Sequence, residues 1–388
     1  MVTVASRIEA IAPSATIEVS RKVKALINDG VDVINLAGGE PFFDTPGYIR
    51  KAAEQALNSG MNRYEGSRGA LALREAVSND LLTNSNIPAH PIDNILITPG
   101  SKQGLMYSLM TVLEPGDEVI IPEPYWVSYP SMVSLASGVP VALPANPEDG
   151  FALNLERLSE FTTKKTKALI LNSPNNPSGK IVTRDELLGL IEWMNHHDVV
   201  VICDEIYNRL LFDVEHVSLA SFPEVAERVI TVNGFSKTYA MTGWRLGYVI
   251  TPLEWMPAME RLHQNLMISA TQFVQEAGIE VLKKSNEYCQ RMKSEFNSRR
   301  LFMLDYMRNL GMDPGYIPTG AFYVMYSYKD KTKSSFDYCL EVLEKTGVAI
   351  TPGRDFGTGG EGYIRLSYTQ SKEKIELALT KMFESKLI

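Results

Sequence analysis

The chain has 388 residues, 45% of them hydrophobic and 22% charged, and its formal net charge is −8 at pH 7. A globular chain of this length buries about three quarters of the surface that it exposes when unfolded. The acidic balance argues against a nucleic-acid-binding protein, which would present a basic face. No run approaches 18 uncharged apolar residues, and the first ten residues lack an apolar signal segment, so we expect no segment that enters a membrane.

Three further patterns exclude other classes of protein. The three cysteines are widely spaced and odd in number, which predicts neither a disulfide framework nor a zinc site and favours a cytoplasmic location. Residues 357–362 match Gly-x-Gly-x-x-Gly, but they precede a predicted strand instead of joining a strand to a helix, so a dinucleotide site is not expected. Asp204-Glu205 follows an apolar strand, as in some ATPases, but no Gly-x-x-x-x-Gly-Lys-Ser/Thr segment accompanies it.

Helix and strand patterns alternate along the chain. Up to residue 113 the predicted elements are a helix over 13–30, a strand over 31–36, helices over 47–58 and 70–83, a strand over 95–98 and a helix that continues to Leu113. Up to residue 250 they are strands over 119–121, 167–171, 198–204, 228–232 and 246–250, with a helix over 183–196. Beyond Pro252 they are long helices to about 310, a strand over 320–326, a helix over 336–346, a short strand around Arg365 and a closing helix from about 371.

Asp204 ends the most apolar of these strands. The run over 199–203 predicts a central parallel strand, and the carboxylate then projects from its carboxyl-terminal tip, where α/β proteins bind ligands. A buried carboxylate needs a partner. From the spacing alone, a helix N-cap or a salt-bridged structural aspartate explains this residue equally well.

Lys237 lies in the loop between the predicted strands over 228–232 and 246–250. An exposed surface lysine is the ordinary interpretation. The neighbouring residues argue otherwise, because they combine apolar bulk with donors for an anion: Phe235, Tyr239, Met241 and Trp244, then Ser236, Thr238 and Arg245. Such a pocket suits an aldehyde that carries a phosphate, since a Schiff base removes the handicap of an amine whose pKa is ordinarily about 10.4.

Two other positions suit anions. The strand over 95–98 runs through Gly100 into a helix, and this arrangement leaves free backbone N–H groups at which a phosphate can bind. Arg365 lies in a short strand among apolar neighbours, where an unpaired guanidinium would be costly. A structural ion pair is one interpretation of that arginine, and a ligand carboxylate is the other.

The loop around Lys237 resembles the cofactor-lysine segment of class I, fold type I, pyridoxal-phosphate-dependent aminotransferases. The matching segments are Ser236-Lys237, Met241-Thr-Gly-Trp-Arg245-Leu-Gly-Tyr248, residues 172–179 and Ile364-Arg365-x-Ser367. The similarity covers nearly the whole chain and is greatest to the bacterial and archaeal type of aspartate aminotransferase.

The resemblance implies an α/β fold and an activity. It implies a large cofactor-binding domain over 47–290 with a mainly parallel seven-stranded sheet, and a smaller α+β domain from 1–46 and 291–388. It also implies a cytoplasmic homodimer with shared active sites, in which an amino group moves from an L-amino acid to a 2-oxo acid by a ping-pong reaction.

The resemblance assigns roles at the cofactor, pyridoxal 5'-phosphate. Lys237 would form the internal aldimine and then move a proton at the substrate α-carbon, while Asp204 would keep the pyridine nitrogen protonated. Tyr207 and Asn176 would bond the ring oxygen, and Trp126 would stack on the ring. The residues expected near the phosphate are Gly100, Ser101, Lys102, Ser236, Arg245 and, from the neighbouring subunit, Tyr64.

The resemblance also implies a substrate site. Arg365 would clamp the α-carboxylate through two parallel hydrogen bonds, and the backbone of Gly39 would contact the same group. Trp126 and Asn176 would complete this site. One departure is Gly234, which lies where many relatives have a phosphate-binding serine.

The resemblance predicts the substrate side chain from three positions. Lys102, Ser14 and Thr16 resemble the set with which the aspartate aminotransferase subgroup binds a distal carboxylate, so aspartate with 2-oxoglutarate is the favoured pair. The alternatives are an aromatic, branched-chain or alanine aminotransferase, or an oxidase or lyase that uses the same cofactor. From a different class, a cofactor-free binding protein on this fold remains an alternative.

Overall fold

The computed structural model describes residues 4–9, 11, 14–145 and 147–387. Its strands are β1 Ile34–Asn35, β2 Ile95–Thr98, β3 Glu118–Pro122, β4 Val139–Leu143, β5 Thr166–Asn172, β6 Val200–Asp204, β7 Val229–Gly234, β8 Gly247–Ile250, β9 Tyr323–Ser327, β10 Val348–Ala349, β11 Thr351–Pro352 and β12 Tyr363–Ser367. Its helices are α1 Ser6–Glu9, α2 Ala15–Asn28, α3 Gly47–Asn58, α4 Leu71–Ser85, α5 Ser101–Val112, α6 Tyr129–Leu135, α7 Leu155–Glu160, α8 Arg184–His196, α9 Met256–Leu266, α10 Gln272–Lys283, α11 Ser285–Asn309, α12 Ser335–Thr346 and α13 Lys372–Glu384.

The central element is a seven-stranded sheet in the order β2-β8-β7-β6-β5-β3-β4. Strand β8 runs antiparallel to both of its neighbours, and the other paired strands are parallel. The predicted α/β fold with a mainly parallel seven-stranded sheet is therefore confirmed.

Both faces of this sheet are buried, which explains why its strands have continuous apolar sequences. In β6, Val201 and Cys203 belong to one hydrophobic cluster, whereas Val200 and Ile202 belong to another on the opposite face. Helices α5 and α9 pack on the second face, and α8 packs on the first. Because the apolar residues of the strands pack against these helices, the polar residues at the carboxyl ends of the strands are available to bind a ligand.

The C-terminal part of the chain forms a second, antiparallel sheet in the order β11-β12-β9. Strand β1 pairs in parallel with β10, so residues from both ends of the chain meet in this part of the fold. The division into 47–290 and two flanking segments stays a prediction. Its second boundary falls inside helix α11, which is continuous over 25 residues.

The N-terminal elements are shorter than the sequence predicts. The strand predicted over 31–36 pairs only at Ile34–Asn35, because β10 offers two partner residues. The first long helix covers Ala15–Asn28, and Pro13, which was included in the predicted helix, lies outside the described residues. None of the helices in the described ranges has the length and apolar composition that a membrane crossing requires.

Candidate active site

A cavity of about 500 Å³ lies at the carboxyl-terminal ends of β5 and β6, between the large sheet and helix α2. The predicted residues that line it are Thr16, Gly39, Ser101, Trp126, Asn176, Asp204, Tyr207, Lys237 and Arg365. Residues from distant parts of the sequence thus meet around one space, as ligand sites at the ends of parallel strands do.

Lys237 projects into this cavity from the loop that joins β7 to β8. Its Nζ donates a hydrogen bond of 2.6 Å to the backbone oxygen of Gly39. Burial lowers the pKa of Lys237 to about 8, opposed by the carboxylate of Glu40. The positive charges of Arg365 and Arg245 lower it further. The surface-lysine interpretation is therefore wrong, and the amine is a far better nucleophile than an exposed lysine.

Asp204 lies at the tip of β6 and is only 4% exposed. Its Oδ2 accepts a hydrogen bond of 2.8 Å from the Tyr129 hydroxyl, and its Oδ1 accepts one of 3.2 Å from the backbone N–H of Ile206. Burial raises its pKa to about 6, although these hydrogen bonds and the charge of Lys237 act in the opposite direction. A buried acid that faces the cavity without a salt bridge among the described residues is suited to hold a cationic ligand group.

Arg365 is 4% exposed and also has no acidic partner among the described residues. Its Nη1 donates to Asn176 Oδ1 at 2.8 Å, and its Nη2 donates to the Ala37 backbone oxygen at 2.8 Å and to Thr351 Oγ1 at 3.2 Å. The Nε atom has no partner. The guanidinium lies over the Tyr323 ring, 4.3 Å from its centroid. The structural ion pair is thus not observed, and the positive charge is available to a ligand carboxylate.

Two tyrosine hydroxyls meet on the wall next to Arg365. The hydroxyls of Tyr207 and Tyr323 are 3.0 Å apart, and burial raises the pKa of both phenols. A Cβ added at Gly39 would lie 3.5 Å from the Tyr323 hydroxyl, so the Gly39 backbone closely approaches this pair. Trp126 lines the cavity as well, with its ring edge-on to Tyr129.

Gly100, Ser101 and Arg245 form a site suited to an anion where helix α5 begins, called here the anion cradle. Gly100 precedes the helix with a φ of 88°, and a Cβ there would lie 2.3 Å from Nη2 of Arg245. Arg245 itself has a φ of 54°, and its Nη1 donates to the Thr242 backbone oxygen at 2.8 Å. Ser236, which directly precedes Lys237, is buried, and Ser101 is the first residue of the helix. A helix N-terminus beside an arginine is suited to a phosphate.

The departure at Gly234 has a steric cause. A Cβ on this residue would lie 2.9 Å from the Leu246 backbone oxygen and 3.0 Å from Cα of Gly247, because β7 and β8 are paired there. Gly247 is equally confined, since its own Cβ would lie 2.6 Å from the Ser101 backbone nitrogen. Serine therefore does not fit at position 234 without movement of β8.

Six predicted residues are not among those that line the cavity: Ser14, Tyr64, Gly100, Lys102, Ser236 and Arg245. Of these, Tyr64 was predicted to serve the neighbouring subunit, whereas Lys102 and Ser14 were expected to reach the substrate and have other partners. Lys102 donates to Ser128 Oγ at 3.3 Å and lies 5.2 Å from the centroid of the Trp126 ring. Tyr64 is 79% exposed and contributes nothing to the cavity of its own subunit. Ser14 caps helix α2 and donates to Asp355, so it is already engaged.

The arrangement can therefore be compared with the group that the sequence implied. The buried acid, the lysine of lowered pKa and the anion cradle at Gly100 fit a pyridine ring that bears an aldehyde and a phosphate. Arg365, which has no acidic partner in the described part of the chain, fits a substrate carboxylate. The family model for aminotransferase class I and II matches residues 31–382. The chain belongs to the class I and II aminotransferases.

This aminotransferase is similar in sequence to known relatives over nearly their whole length. An aspartate aminotransferase of Pyrococcus abyssi is 40% identical over 357 residues, which cover 90% of this chain and 91% of that protein. Aromatic-amino-acid aminotransferase 2 of Thermococcus litoralis is 38% identical, with 97% and 96% covered. The structure of Thermus thermophilus aspartate aminotransferase with maleate has a TM-score of 0.94 at 36% identity and covers 99% of this chain and 100% of that one.

The sequence did not identify several residues that shape the site of this aminotransferase. Phe356 lines the cavity and lies over Arg365, with 5.2 Å between the guanidinium carbon and the ring centroid. Tyr323 comes from β9, which the sequence predicted as a strand but not as a cavity wall. Tyr129 was recognisable in principle, since it follows Trp126 by three residues and its N–H donates to the Trp126 backbone oxygen.

Proposed function

We propose that this aminotransferase uses pyridoxal 5'-phosphate to move the amino group of an L-amino acid, with aspartate favoured, to a 2-oxo acid such as 2-oxoglutarate. One observation carries the proposal. Lys237, with a pKa lowered to about 8, shares a cavity with a buried acid, Asp204, and with Arg365, which has no acidic partner among the described residues.

The residues of this chain divide the chemistry among them. When bound, pyridoxal phosphate supplies an electron-withdrawing ring that weakens the covalent bond between the α-carbon of the substrate and its hydrogen. Asp204 would stabilise a proton on the ring nitrogen, and Tyr207 would donate to the ring oxygen. In the first half-reaction Lys237 Nζ would remove the proton from the α-carbon of the donor, and in the second it would return a proton to the α-carbon that forms from the acceptor. Arg365 holds the α-carboxylate, so that this carbon stays within reach of Nζ.

The phosphate would be held where Gly100 and Arg245 meet. The N–H groups of Ser101 and Lys102 at the start of α5 provide further donors, and Ser236 provides a hydroxyl. This set includes a fixed cation and a helix N-terminus, so it does not need the serine that many relatives have at position 234.

Aspartate and an aromatic amino acid are both supported as donors. For aspartate, the support is the Ser14 to Thr16 segment beside the cavity and the aspartate aminotransferases among the relatives. For an aromatic donor, the support is an apolar wall that includes Val19, Trp126 and Phe356, and a relative that is an aromatic-amino-acid aminotransferase.

We also propose a homodimer in the cytoplasm. Tyr64 is 79% exposed in a single subunit, which agrees with the prediction that it reaches the phosphate site of a neighbouring subunit. The three cysteines are buried free thiols, which suits a reducing compartment.

The test is a screen of amino donors with the purified chain after addition of pyridoxal phosphate. We expect kcat/KM for aspartate to exceed that for alanine and that for phenylalanine, with transfer to 2-oxoglutarate. Lys237→Ala should abolish transfer and the visible absorbance of covalently held cofactor. The proposal fails if no donor is converted, or if borohydride fixes the cofactor to a peptide that lacks Lys237.

A further inference from the structure

The first turn of helix α2 is bound by a carboxylate from the other end of the chain. Ser14 Oγ donates to Asp355 Oδ2 at 3.0 Å, the Ala15 N–H donates to Asp355 Oδ1 at 3.2 Å, and the Thr16 N–H donates to Asp355 Oδ2 at 2.6 Å. Asp355 forms no ion pair among the described residues, so these three donors are what stabilise its charge. A helix N-terminus favours such a group because its first N–H groups have no partner within the helix.

Ser14 and Thr16 are two of the three residues that the sequence suggested for the distal carboxylate of a substrate, and the third was Lys102. One carboxylate can accept from the three donors of the first turn, but two cannot do so at once, because each donor supplies a single hydrogen. The Oγ1 atom of Thr16 is buried without a partner, and Thr16 lines the cavity. A substrate with a second carboxylate can thus bind Thr16 Oγ1 beside Asp355, or displace Asp355 and take the other three donors.

Asp355 precedes Phe356, a residue that lines the cavity. It lies in a turn between Arg354, whose N–H donates to Ser335 Oγ at 3.1 Å, and Phe356, whose backbone oxygen accepts from the Tyr125 N–H at 3.0 Å. The Phe356 ring is buried and packs over Arg365, the proposed site of the α-carboxylate. Burial lowers the pKa of Arg365, and the negative charge of Asp355 is among the smaller influences that oppose this shift. The Asp355 carboxylate therefore adjoins the wall that contains Phe356 and Arg365.

We propose that Asp355 is a specificity-determining residue, an internal carboxylate that binds the first turn of α2 when the substrate side chain is uncharged and releases it to a substrate with two carboxylates. The proposal rests on the proposed function, because an aminotransferase binds a donor and an acceptor in turn in one cavity. The first turn of α2 thus binds one carboxylate with either substrate. With an aromatic donor that carboxylate is Asp355, and with a dicarboxylic acceptor it is the distal carboxylate of the acceptor.

The test compares two unreactive ligands on the holoenzyme. Succinate has two carboxylates and 3-phenylpropionate has one, and the Kd of each is measured by calorimetry for the wild type and for Asp355→Asn. Asparagine keeps the size of the side chain and removes its charge. We expect the ratio of the 3-phenylpropionate Kd to the succinate Kd to rise about tenfold or more, because hydrogen bonds to a charged group are the strong ones. An unchanged or lower ratio overturns the proposal.

Three further variants separate a specific effect from a general one. Asp337→Asn removes a carboxylate that also lies beside a serine N-cap, Ser334 of helix α12, and it should leave the ratio unchanged. A similar shift in this variant overturns the proposal. Asp355→Glu should return the ratio toward the wild-type value, and Asp355→Ser replaces the asparagine variant if thermal unfolding shows that the latter does not fold.

The two proposals fail in different ways. A wild-type holoenzyme that binds neither ligand contradicts the proposed function, and the role of Asp355 with it. A wild type that binds both ligands, with a ratio that Asp355→Asn does not change, contradicts only the role of Asp355.

Discussion

The hydroxyl of Tyr129 donates a hydrogen bond of 2.8 Å to Oδ2 of Asp204, and both groups are buried. The hydroxyl lowers the pKa of Asp204, which burial has raised to about 6. Tyr129→Phe should therefore raise this pKa further, so that more of the carboxyl is protonated and unable to stabilise a cationic ring. We expect kcat to fall about tenfold near pH 7, and the loss to shrink as the pH rises.

The pH profile of kcat checks this prediction. Tyr107→Phe is the matched control, because Tyr107 is a buried tyrosine whose hydroxyl contacts Nδ1 of His263 at 3.1 Å, away from the cavity. It should leave the profile unchanged. A loss in Tyr129→Phe that is the same at every pH would show that the tyrosine acts through packing and not through Asp204.

The lowered pKa of Lys237 predicts how fast the cofactor-free protein captures pyridoxal phosphate. The uncharged amine is the reactive form, and it predominates above a pKa of about 8. The capture rate should thus be half-maximal near pH 8, whereas an exposed lysine, with a pKa of about 10.4, would still be gaining reactivity well above that. Borohydride trapping at a series of pH values measures the rate. A midpoint above about pH 10 would contradict the buried position of the amine.

Arg365→Lys tests the carboxylate clamp. A lysine keeps the positive charge but cannot form two parallel hydrogen bonds, so KM for the amino acid should rise about tenfold to a hundredfold. Arg157→Lys is the control, since Arg157 also lies over an aromatic ring, that of Phe161, but on the surface. Steady-state kinetics give both values, and equal KM values for the two variants would exclude the clamp.

Gly100→Ala tests the anion cradle. The added Cβ would lie 2.3 Å from Arg245 Nη2, so the arginine must move and the Kd for pyridoxal phosphate should rise at least about tenfold. Gly116→Ala separates this clash from backbone strain, because Gly116 has a similar φ of 91° but nothing within 4 Å of an added Cβ. Fluorescence titration measures both constants. Equal losses in the two variants would mean that strain, and not the position of Arg245, weakens binding.

The sequence located six of the seven strands of the large sheet, because these strands are largely buried on both faces. It did not locate β4, Val139–Leu143, which lies at the edge of the sheet and is only partly buried. Strand β6 is apolar along its whole length, so its position and the exit of Asp204 at its tip could be read from composition and order alone. The small strands could not be predicted as well, since the extent of β1 depends on a partner, β10, that is far away in the sequence.

Site residues could be predicted where they follow the end of a strand. Contacts between segments that are distant in the sequence could not be predicted as well. Lys237, Asp204 and Arg365 line one cavity as expected. The engagement of Ser14 was not foreseen, because its partner Asp355 lies 341 positions further along the chain, and no local pattern carries that information. Lys102 had a suitable position at the start of α5, but its flexible side chain turns toward Ser128.

Helix α11 is a single rod of 25 residues, about 38 Å long, that passes through position 290 without a break. Met292 and Phe296 lie on it one turn apart and are 1% and 0% exposed. A polypeptide that began at residue 291 would have to form this amphipathic surface without its preceding turn and without the core that covers it. We therefore do not expect the chain to divide into separate modules at residue 290. An exchange of either part between relatives would have to include the whole of helix α11.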